Sequence, residues 1–427
     1  MASILAASGP GITLTSTGTP MNDHFDVVIV GAGMVGASLA CSLLACKPAL
    51  KLAVVEAFPI KAPNTPLSSF DSRSTALSWG STRLFEKIGL WSSISSHATA
   101  INKIQVSDQG FPISARLDGD RLGLPALGYV VENSKLGIAL LEVISHSDQI
   151  ELLSPATVTQ FTPTRSGGLV RLNQDNEERE ISTQLVVVAD GTESGLRQKM
   201  GIHTDVEEFE HAAIITNVSV DRPHSNIAFE RFTETGPIAL LPLAGYAQDP
   251  HRFALVFHLK RAECDRLLGV DDKEFITQLH RRFGFRAGRI LKVGERKRHD
   301  LIQAHSREQI RQGCVILGNA AHTLHPVAAQ GFNLSLRDAN SLTSVLLRAH
   351  QNGADLGSLA LLDQYLDLQR EDQARVQRFT HVVLELFTMS QFVPRLFRQL
   401  GLLSLDFLPS IKSEFVAFTA GLSSDSP

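Results

Sequence analysis

Cysteine is scarce in this chain. The four that occur among 427 residues, Cys41, Cys46, Cys264 and Cys314, form no CxxC pair and no Cys/His cluster. A disulfide framework and a zinc site are both excluded, and a reducing, cytoplasmic compartment is expected. Excess charge of either sign is also missing: the formal net charge is -4 and the pI is near 6.4. Without a global basic field, nucleic acid is excluded as a partner and a small molecule is expected instead. No uninterrupted apolar run approaches the roughly 18 residues that a membrane-spanning helix needs. Residues 1–22 lack a basic n-region and carry Gly, Pro, Ser and Thr, so they read as a disordered tail rather than a signal peptide, with Met21 as an alternative start to Met1.

Apolar side chains make up 43% of the chain, enough for two domains or for one large α/β domain carrying an insertion. From Asp26 the order is sharp: DVVIV, then GAGMVG, then ASLACSLLA at helical spacing, then KLAVVEA ending its apolar run at Glu56. This is strand, tight turn, helix, strand. A proline-rich connection, FPIKAPNTP, follows. Two further short apolar runs end in small residues, QLVVVADG (184–191) and GCVILGNAAH (313–322). Three distant segments of one design point to a single parallel sheet assembled from the beginning, middle and end of the chain. Residues 101–117, 150–173 and 211–260 alternate like strands, and the expectation is that they build a separate, mostly antiparallel sheet. Helix is expected after Asn333, and from Leu361 to about Phe418 apolar residues recur at mixed helical spacing.

Gly31, Gly33 and Gly36 form GxGxxG directly after a strand and at the opening of a helix. The first glycine allows the turn, the second lets a pyrophosphate approach the backbone, and the third lets helix and strand pack closely. Glu56 suits a ribose hydroxyl, which favours FAD or NAD over a phosphorylated ribose. Asp190 and Gly191 at one strand end, and Gly318 and Asn319 at another, line the same carboxyl edge. FAD is the longer ligand and needs such partners, so FAD is preferred. Asp190 reads equally as an ordinary turn residue. In HPVAAQGFNLSLRDAN the chain kinks at Pro326 and passes Ala328, Ala329 and Gly331 into a helix whose first N–H groups lack intrahelical partners. Those donors and the positive helix end suit a group becoming anionic, as the pyrimidine ring of a reduced flavin does. His325 and Pro326 are expected to lie along that ring, with backbone contacts from Gly331, Phe332 and Asn333. Arg73, in FDSRSTALS ahead of a helical pattern, reads equally as a surface cation and as a flavin or substrate contact. His322 and His325 have no third ligand spaced with them, so no metal is expected. The basic run 286–299 reads as a solvated face.

Taken together, GAGMVG, FDSRSTAL, VVVADG and GNAAHTLHPVAAQGFNLSLRD resemble the flavin-dependent aromatic hydroxylases, in particular their ubiquinone-biosynthesis branch. AINKIQVSDQG, FERFTETGPIALLPL and RRFGFRAGRILKVGER extend the likeness from about Asp26 past Arg370. Many relatives carry Asp at Asn319, so this chain keeps hydrogen-bonding capacity there and drops a charge. The resemblance implies an α/β fold: a Rossmann-type FAD-binding parallel sheet, an inserted antiparallel substrate domain and C-terminal helices. The expected division is 23–100, 125–200 and 296–360 for FAD, 101–124 and 201–295 for substrate, and 361–427 for the helical region. It also implies one FAD held by the Gly31 loop, Glu56, Arg73, Asp190, Asn319 and the turn from Gly331 to Asn333. NADPH or NADH would reduce the flavin, and O2 would add to give a C4a-hydroperoxide. The distal oxygen would then attack a polyprenylated methoxyphenol para to its hydroxyl. The cofactor carries this chemistry, so no obligatory acid or base is expected from the protein.

Flavin halogenases go with closely paired tryptophans, and Trp79 and Trp91 are not so paired. A sister hydroxylase acting at another ring position of the same pathway shares every feature above. A non-catalytic nucleotide-binding scaffold would have no need of HPVAAQGFN. The insoluble substrate suggests contact with other ubiquinone-biosynthesis proteins or peripheral contact with the inner membrane. Segment 378–411, apolar with Arg395 and Arg398, reads first as helices covering the core and second as an interfacial amphipathic surface.

Overall fold

In the computed structural model the described residues are 24–46, 49–60, 73–112, 114–325, 329–388 and 420–421. The expected N-terminal tail, most of the proline-rich connection, Pro326 and Ala328, and nearly all of the chain beyond Thr388 lie outside them.

Five parallel strands form the first sheet, in the order Ile150–Leu153, Leu52–Val55, His24–Val30, Glu177–Val188 and Cys314–Ile316. The continuous apolar run DVVIV is explained by burial on both faces, as parallel sheets require. Val27 and Ile29 face one core with helices Met34–Ala45, Asn133–Ser145 and Gln330–Gln351, while Phe25, Val28 and Val30 face a second. That second core is closed by a hairpin, Ala156–Thr164 and Gly167–Gln174, which pairs antiparallel with Glu177–Val188.

This corrects the expectation for residues 150–173. They belong to the parallel sheet, Ile150–Leu153 as its edge strand and the remainder as the hairpin. Alternation alone reads the same for a hairpin of either sheet, because what assigns it to the first is the pairing of the next strand, Glu177–Val188, with the remote His24–Val30.

A second sheet runs Ser114–Asp118, Lys103–Asp108, Ile227–Thr233, Gly236–Leu243, Arg252–Lys260, Thr204–Val220, Lys297–Ser306 and His322–Thr323, with Ile290–Val293 also on Thr204–Val220. It is antiparallel except where Lys103–Asp108 meets Ile227–Thr233. Helices Arg261–Leu268 and Asp272–Phe283 cover one face, burying Phe229, Phe253, Phe257, Phe275 and Phe283. The other face turns toward a small sheet of Ser74–Ser78, Gly128–Glu132 and Ala98–Ile101. The segment after Arg73 is therefore a strand before it is a helix, and the helix starts only at Trp79. Helix Leu359–Thr388 packs across Gln330–Gln351.

Candidate functional site

The carboxyl ends of the central strands are tied rung by rung. Glu56 N donates to Leu153 O (2.9 Å), Gly31 N to Val55 O (2.8 Å), Ala189 N to Val30 O (2.8 Å) and Leu317 N to Val188 O (2.9 Å). The loops that follow these strands therefore share one rim. Gly31 holds φ +102°, and a Cβ there would lie 2.5 Å from Ala189 O. A Cβ on Gly36 would lie 2.0 Å from Gly31 O, so helix and turn touch backbone to backbone. Gly33 precedes helix Met34–Ala45, whose start has no side-chain cap and no acidic residue in its first turn. Its N–H groups remain available to an anion.

Glu56 is buried, and both its oxygens are already in use: Oε2 accepts from Ala32 N at 2.8 Å and Oε1 from Phe58 N at 3.0 Å. Each oxygen keeps a second lone pair, so the carboxylate is oriented for further donors such as ribose hydroxyls. Across the rim, Gly318 at φ +67° puts its backbone against Val35, the second residue of the same helix. Asn319 beside it is exposed.

Arg197, which the sequence reading did not single out, joins the two later loops. Its buried guanidinium donates to Ala320 O (2.6 Å) and to Thr192 O (2.9 Å). Ser194 caps the short helix that carries it, so a Ser three residues after a strand-end glycine is the signal that could have found it. Asp190 lies within reach of Arg197, and Leu196 N approaches its Oδ2 at 3.4 Å. Its Oδ1 is buried with no partner. Burial raises the Asp190 pKa, opposed by hydrogen bonds from Ser194 and Leu196 and by the Arg197 charge.

The helix that opens at Gln330 has Ala329 before it at φ +51°, a left-handed conformation uncommon for a side-chain-bearing residue, and no side-chain cap. Asn333 makes four hydrogen bonds with protein. Its Oδ1 accepts from Ser78 N (2.9 Å) and Ser81 Oγ (2.7 Å), and its Nδ2 donates to Ala76 O (2.9 Å) and Ala329 O (2.8 Å). Only its backbone is left for a ligand. Phe332 packs into the core beneath the sheet, whereas a Cβ on Gly331 would meet nothing within 4 Å. Gln330 is buried with Oε1 unpartnered. Arg73 leads into Ser74–Ser78, and its carbonyl accepts from Asn133 N at 2.8 Å.

These features fit a flavin dinucleotide. An uncapped helix start would suit the pyrophosphate, an oriented carboxylate the ribose, and the orphaned Asp190 and Gln330 oxygens the remaining polar atoms. The open space at Gly191 and Gly331 leaves room for a flat ring. Gly31, Gly33, Gly36, Glu56, Asp190, Gly191, Gly318 and Asn319 lie around this one rim, while Arg73, Gly331, Phe332 and Asn333 meet where strand Ser74–Ser78 touches the Gln330 helix. Pro326 lies outside the described residues.

His325 is buried on the substrate-sheet side, its ring 5.2 Å from Phe209 and 5.5 Å from His258. Burial and the neighbouring His211 push the His325 pKa down to about 4. His258 has both ring nitrogens buried without partners, and burial, then His325 and His211, lowers its pKa to about 3. Both rings are neutral near pH 7. His322 instead pairs with Asp338 at 2.6 Å, away from the rim. A surface cleft of about 340 Å³, lined by Asp221, Arg222, Phe285, Gly288 and Arg289, belongs to the far end of the second sheet. There Arg222 is already held by the carbonyls of Phe285 and Arg286.

A dinucleotide rim on a parallel sheet, faced by an antiparallel sheet, defines an FAD-dependent monooxygenase. The family model described as FAD binding domain matches residues 24–380. The ubiquinone hydroxylase UbiL of Rhodospirillum rubrum is 30% identical, covering 98% of this chain and 94% of its own. The mitochondrial ubiquinone biosynthesis monooxygenase COQ6 of Danio rerio is 27% identical, covering 94% and 91%. The crystal structure of p-nitrophenol 4-monooxygenase PnpA from Pseudomonas putida DLL-E4 superposes with a TM-score of 0.74 at 17% identity, covering 92% of this chain and 97% of that one, and shows the fold. The chain belongs to the ubiquinone-biosynthesis branch of the FAD-dependent aromatic hydroxylases, enzymes that use FAD with NAD(P)H and O2. No helix among the described residues is long and apolar enough to cross a membrane.

Proposed function

We propose that the substrate is a 2-polyprenyl-6-methoxyphenol and that the new hydroxyl enters para to the phenol oxygen. The observation that carries this reading is the full-length similarity to proteins named ubiquinone hydroxylase and ubiquinone biosynthesis monooxygenase, on a chain whose second sheet turns a mostly apolar face toward the small sheet containing Ser74–Ser78, the strand that touches the Gln330 helix. An apolar wall suits a methoxyphenol ring, and the para carbon is electron-rich because the hydroxyl donates into it.

The proposed cofactor contacts are Gly31, Gly33 and Gly36 at the pyrophosphate, Glu56 at the ribose, Asp190, Gly191, Gly318 and Asn319 at the ribityl and phosphate oxygens, and Arg73, Gly331, Phe332 and Asn333 by the ring. His325 faces that ring in this reading. Bound FAD, once reduced by NAD(P)H, supplies the activated oxygen. The protein orients the ring and keeps water out, and the neutral His258 and His325 add no charge to the wall. Residues 1–22 and 361–427 flank the catalytic part, and the protein works in the cytoplasm, at the periphery of the inner membrane and beside other ubiquinone-biosynthesis proteins.

The test is lipid profiling by mass spectrometry of a strain lacking this gene, complemented with wild type or with Gly33→Trp. The expected result is loss of ubiquinone, accumulation of a prenylated methoxyphenol lacking the para oxygen, and rescue by wild type alone. An intermediate missing a different ring oxygen identifies a sister hydroxylase of the pathway. Full rescue by Gly33→Trp would instead identify a scaffold that needs no flavin.

A further inference from the structure

Strand Ile227–Thr233 alternates between two environments. Ile227 and Phe229 pack under the covering helices, and Arg231 Nε donates to Arg282 O at 2.9 Å on the same side. Ala228 faces the other way, against Ala76, Val130 and Ala254. Glu230, two residues on, shares the face of Ala228. Its neighbours across the sheet are Val106 on one side and Ala239, Val256 and Ile215 in succession on the other, all apolar. A carboxyl thus stands in a run of apolar partners, which ends at Lys297 beyond Ile215, on the sheet face turned toward the small sheet containing Ser74–Ser78.

Glu230 has no hydrogen-bond or ion-pair partner among the described residues. It is surrounded by protein to core depth yet keeps accessible surface, as a side chain lining a cavity does. An unpaired carboxyl so placed costs stability, and nothing in the fold uses it. Across two strands and two residues along lies His258, by sheet geometry about 12 Å away between Cα atoms, enough for an aromatic ring to lie between the two side chains.

We propose that Glu230 is the base that receives the phenol proton, an inference that rests on the reading that a phenol enters this cavity. The phenol O–H bond breaks, its proton moves to a Glu230 carboxylate oxygen, and phenolate and carboxylic acid result with no change of oxidation state. The phenolate is most electron-rich at the para carbon, where oxygen is to be added. After rearomatisation releases the para proton, Glu230 returns its own proton to the product oxygen or to solvent.

Burial alone raises the Glu230 pKa to about 7, so it can hold or release a proton near neutrality. On the neighbouring strands the titratable groups of this face include Asp108, His211, His258, Lys260, Lys297 and His299, and Arg252 is paired with Glu132 at 2.9 Å. None of these is a cause of the Glu230 shift.

The experiment compares FAD-loaded wild type, Glu230→Gln and Glu230→Ala with the soluble probe 2-methoxy-6-prenylphenol and its methyl ether between pH 5.5 and 8.5. In wild type, phenolate absorbance of the bound probe and kcat should rise with pH through about 7. The ether should bind at least tenfold more weakly than the phenol. Glu230→Gln should retain flavin, lose that pH dependence, lose tenfold or more in kcat, and divert NAD(P)H oxidation to hydrogen peroxide. Glu230→Ala should bind phenol and ether alike. If either variant fails to fold, the wild-type pH profile and the ether comparison still decide. A Glu230→Gln enzyme with the wild-type kcat and profile overturns the role of Glu230. A wild type that neither binds nor hydroxylates the phenol overturns the substrate reading beneath it.

Discussion

Among single residues, the two glycines at the rim make opposite demands. A Cβ on Gly36 would sit 2.0 Å from a backbone oxygen, so Gly36→Ala must part the helix from its turn, at about 3 kcal/mol. It should lower the apoprotein melting temperature and the flavin content together. Gly331→Ala meets no protein atom and exchanges a glycine for a better helix former, so the apoprotein should be as stable as wild type or up to about 1 kcal/mol more so. Its FAD affinity should nonetheless fall about tenfold if the flavin ring approaches there, and unchanged affinity by fluorescence titration would remove the ring from Gly331. The buried histidines set an acid limit. His258 and His325 stay neutral in the fold down to about 3 and 4, whereas the unfolded chain protonates them near 6.5. The unfolded state therefore binds more protons below that value, and stability is lost as pH falls from 6.5. His258→Leu should recover on the order of 3 kcal/mol of this loss at pH 4, read from urea midpoints. Glu230 has the reverse sign. The fold holds its proton up to about 7, the unfolded chain only to about 4.5, so its cost grows as pH rises across that window. The melting temperature of Glu230→Gln relative to wild type should climb by a few degrees from pH 4.5 to pH 8.

Between elements, side chains that bridge remote segments matter more than those within one. Arg197 joins the loop after Glu177–Val188 to the loop after Cys314–Ile316 through two carbonyls. A lysine cannot reach both with a planar fork. Arg197→Lys should cost about 1–2 kcal/mol and weaken FAD roughly tenfold, because both loops line the cofactor rim. Asn333→Ala strands the partners of three hydrogen bonds between the Gln330 helix and the segment around Ser78, and of a fourth to Ala329 O at the helix start; a loss of about 3 kcal/mol with partial loss of flavin is expected in thermal melts. Contiguous signals in the chain were readable: GAGMVG between its strand and helix, Glu56 at a strand end, and the small-residue entry to the Gln330 helix each declare themselves within a dozen residues. What required pairing across hundreds of residues was not. Ile150–Leu153 alternates like a member of the second sheet but pairs with Leu52–Val55, and the hairpin after it joins the first sheet only because Glu177–Val188 pairs with His24–Val30. Arg197 has meaning only once two loops meet, and Glu230 reads as a surface glutamate until the register of five strands places it in an apolar row.

For the whole molecule, the proposed substrate raises the question of how a long prenyl tail reaches the flavin rim. Net charge is -4, so electrostatic attraction to an anionic bilayer is not available at long range, and any membrane contact has to be apolar. The C-terminal helix carries Leu368 and Val382 exposed, two of the few large apolar side chains so presented, and it packs on the helix that opens at the flavin rim. An apolar contact responds to ionic strength oppositely from a charge-driven one, since salt screens the latter and leaves the former intact or stronger. Flotation with neutral phosphatidylcholine vesicles carrying a prenylated methoxyphenol should therefore recover a fraction of the enzyme that does not fall between 0.05 and 0.5 M salt, a range over which the Debye length shortens about threefold. Adding anionic lipid should not increase that fraction, and Leu368→Glu with Val382→Glu should reduce it several-fold while leaving turnover of a short-chain soluble phenol unchanged. Equal recovery with and without the two substitutions would assign substrate delivery to another protein, because the enzyme's own apolar helix face would then make no contact with the bilayer.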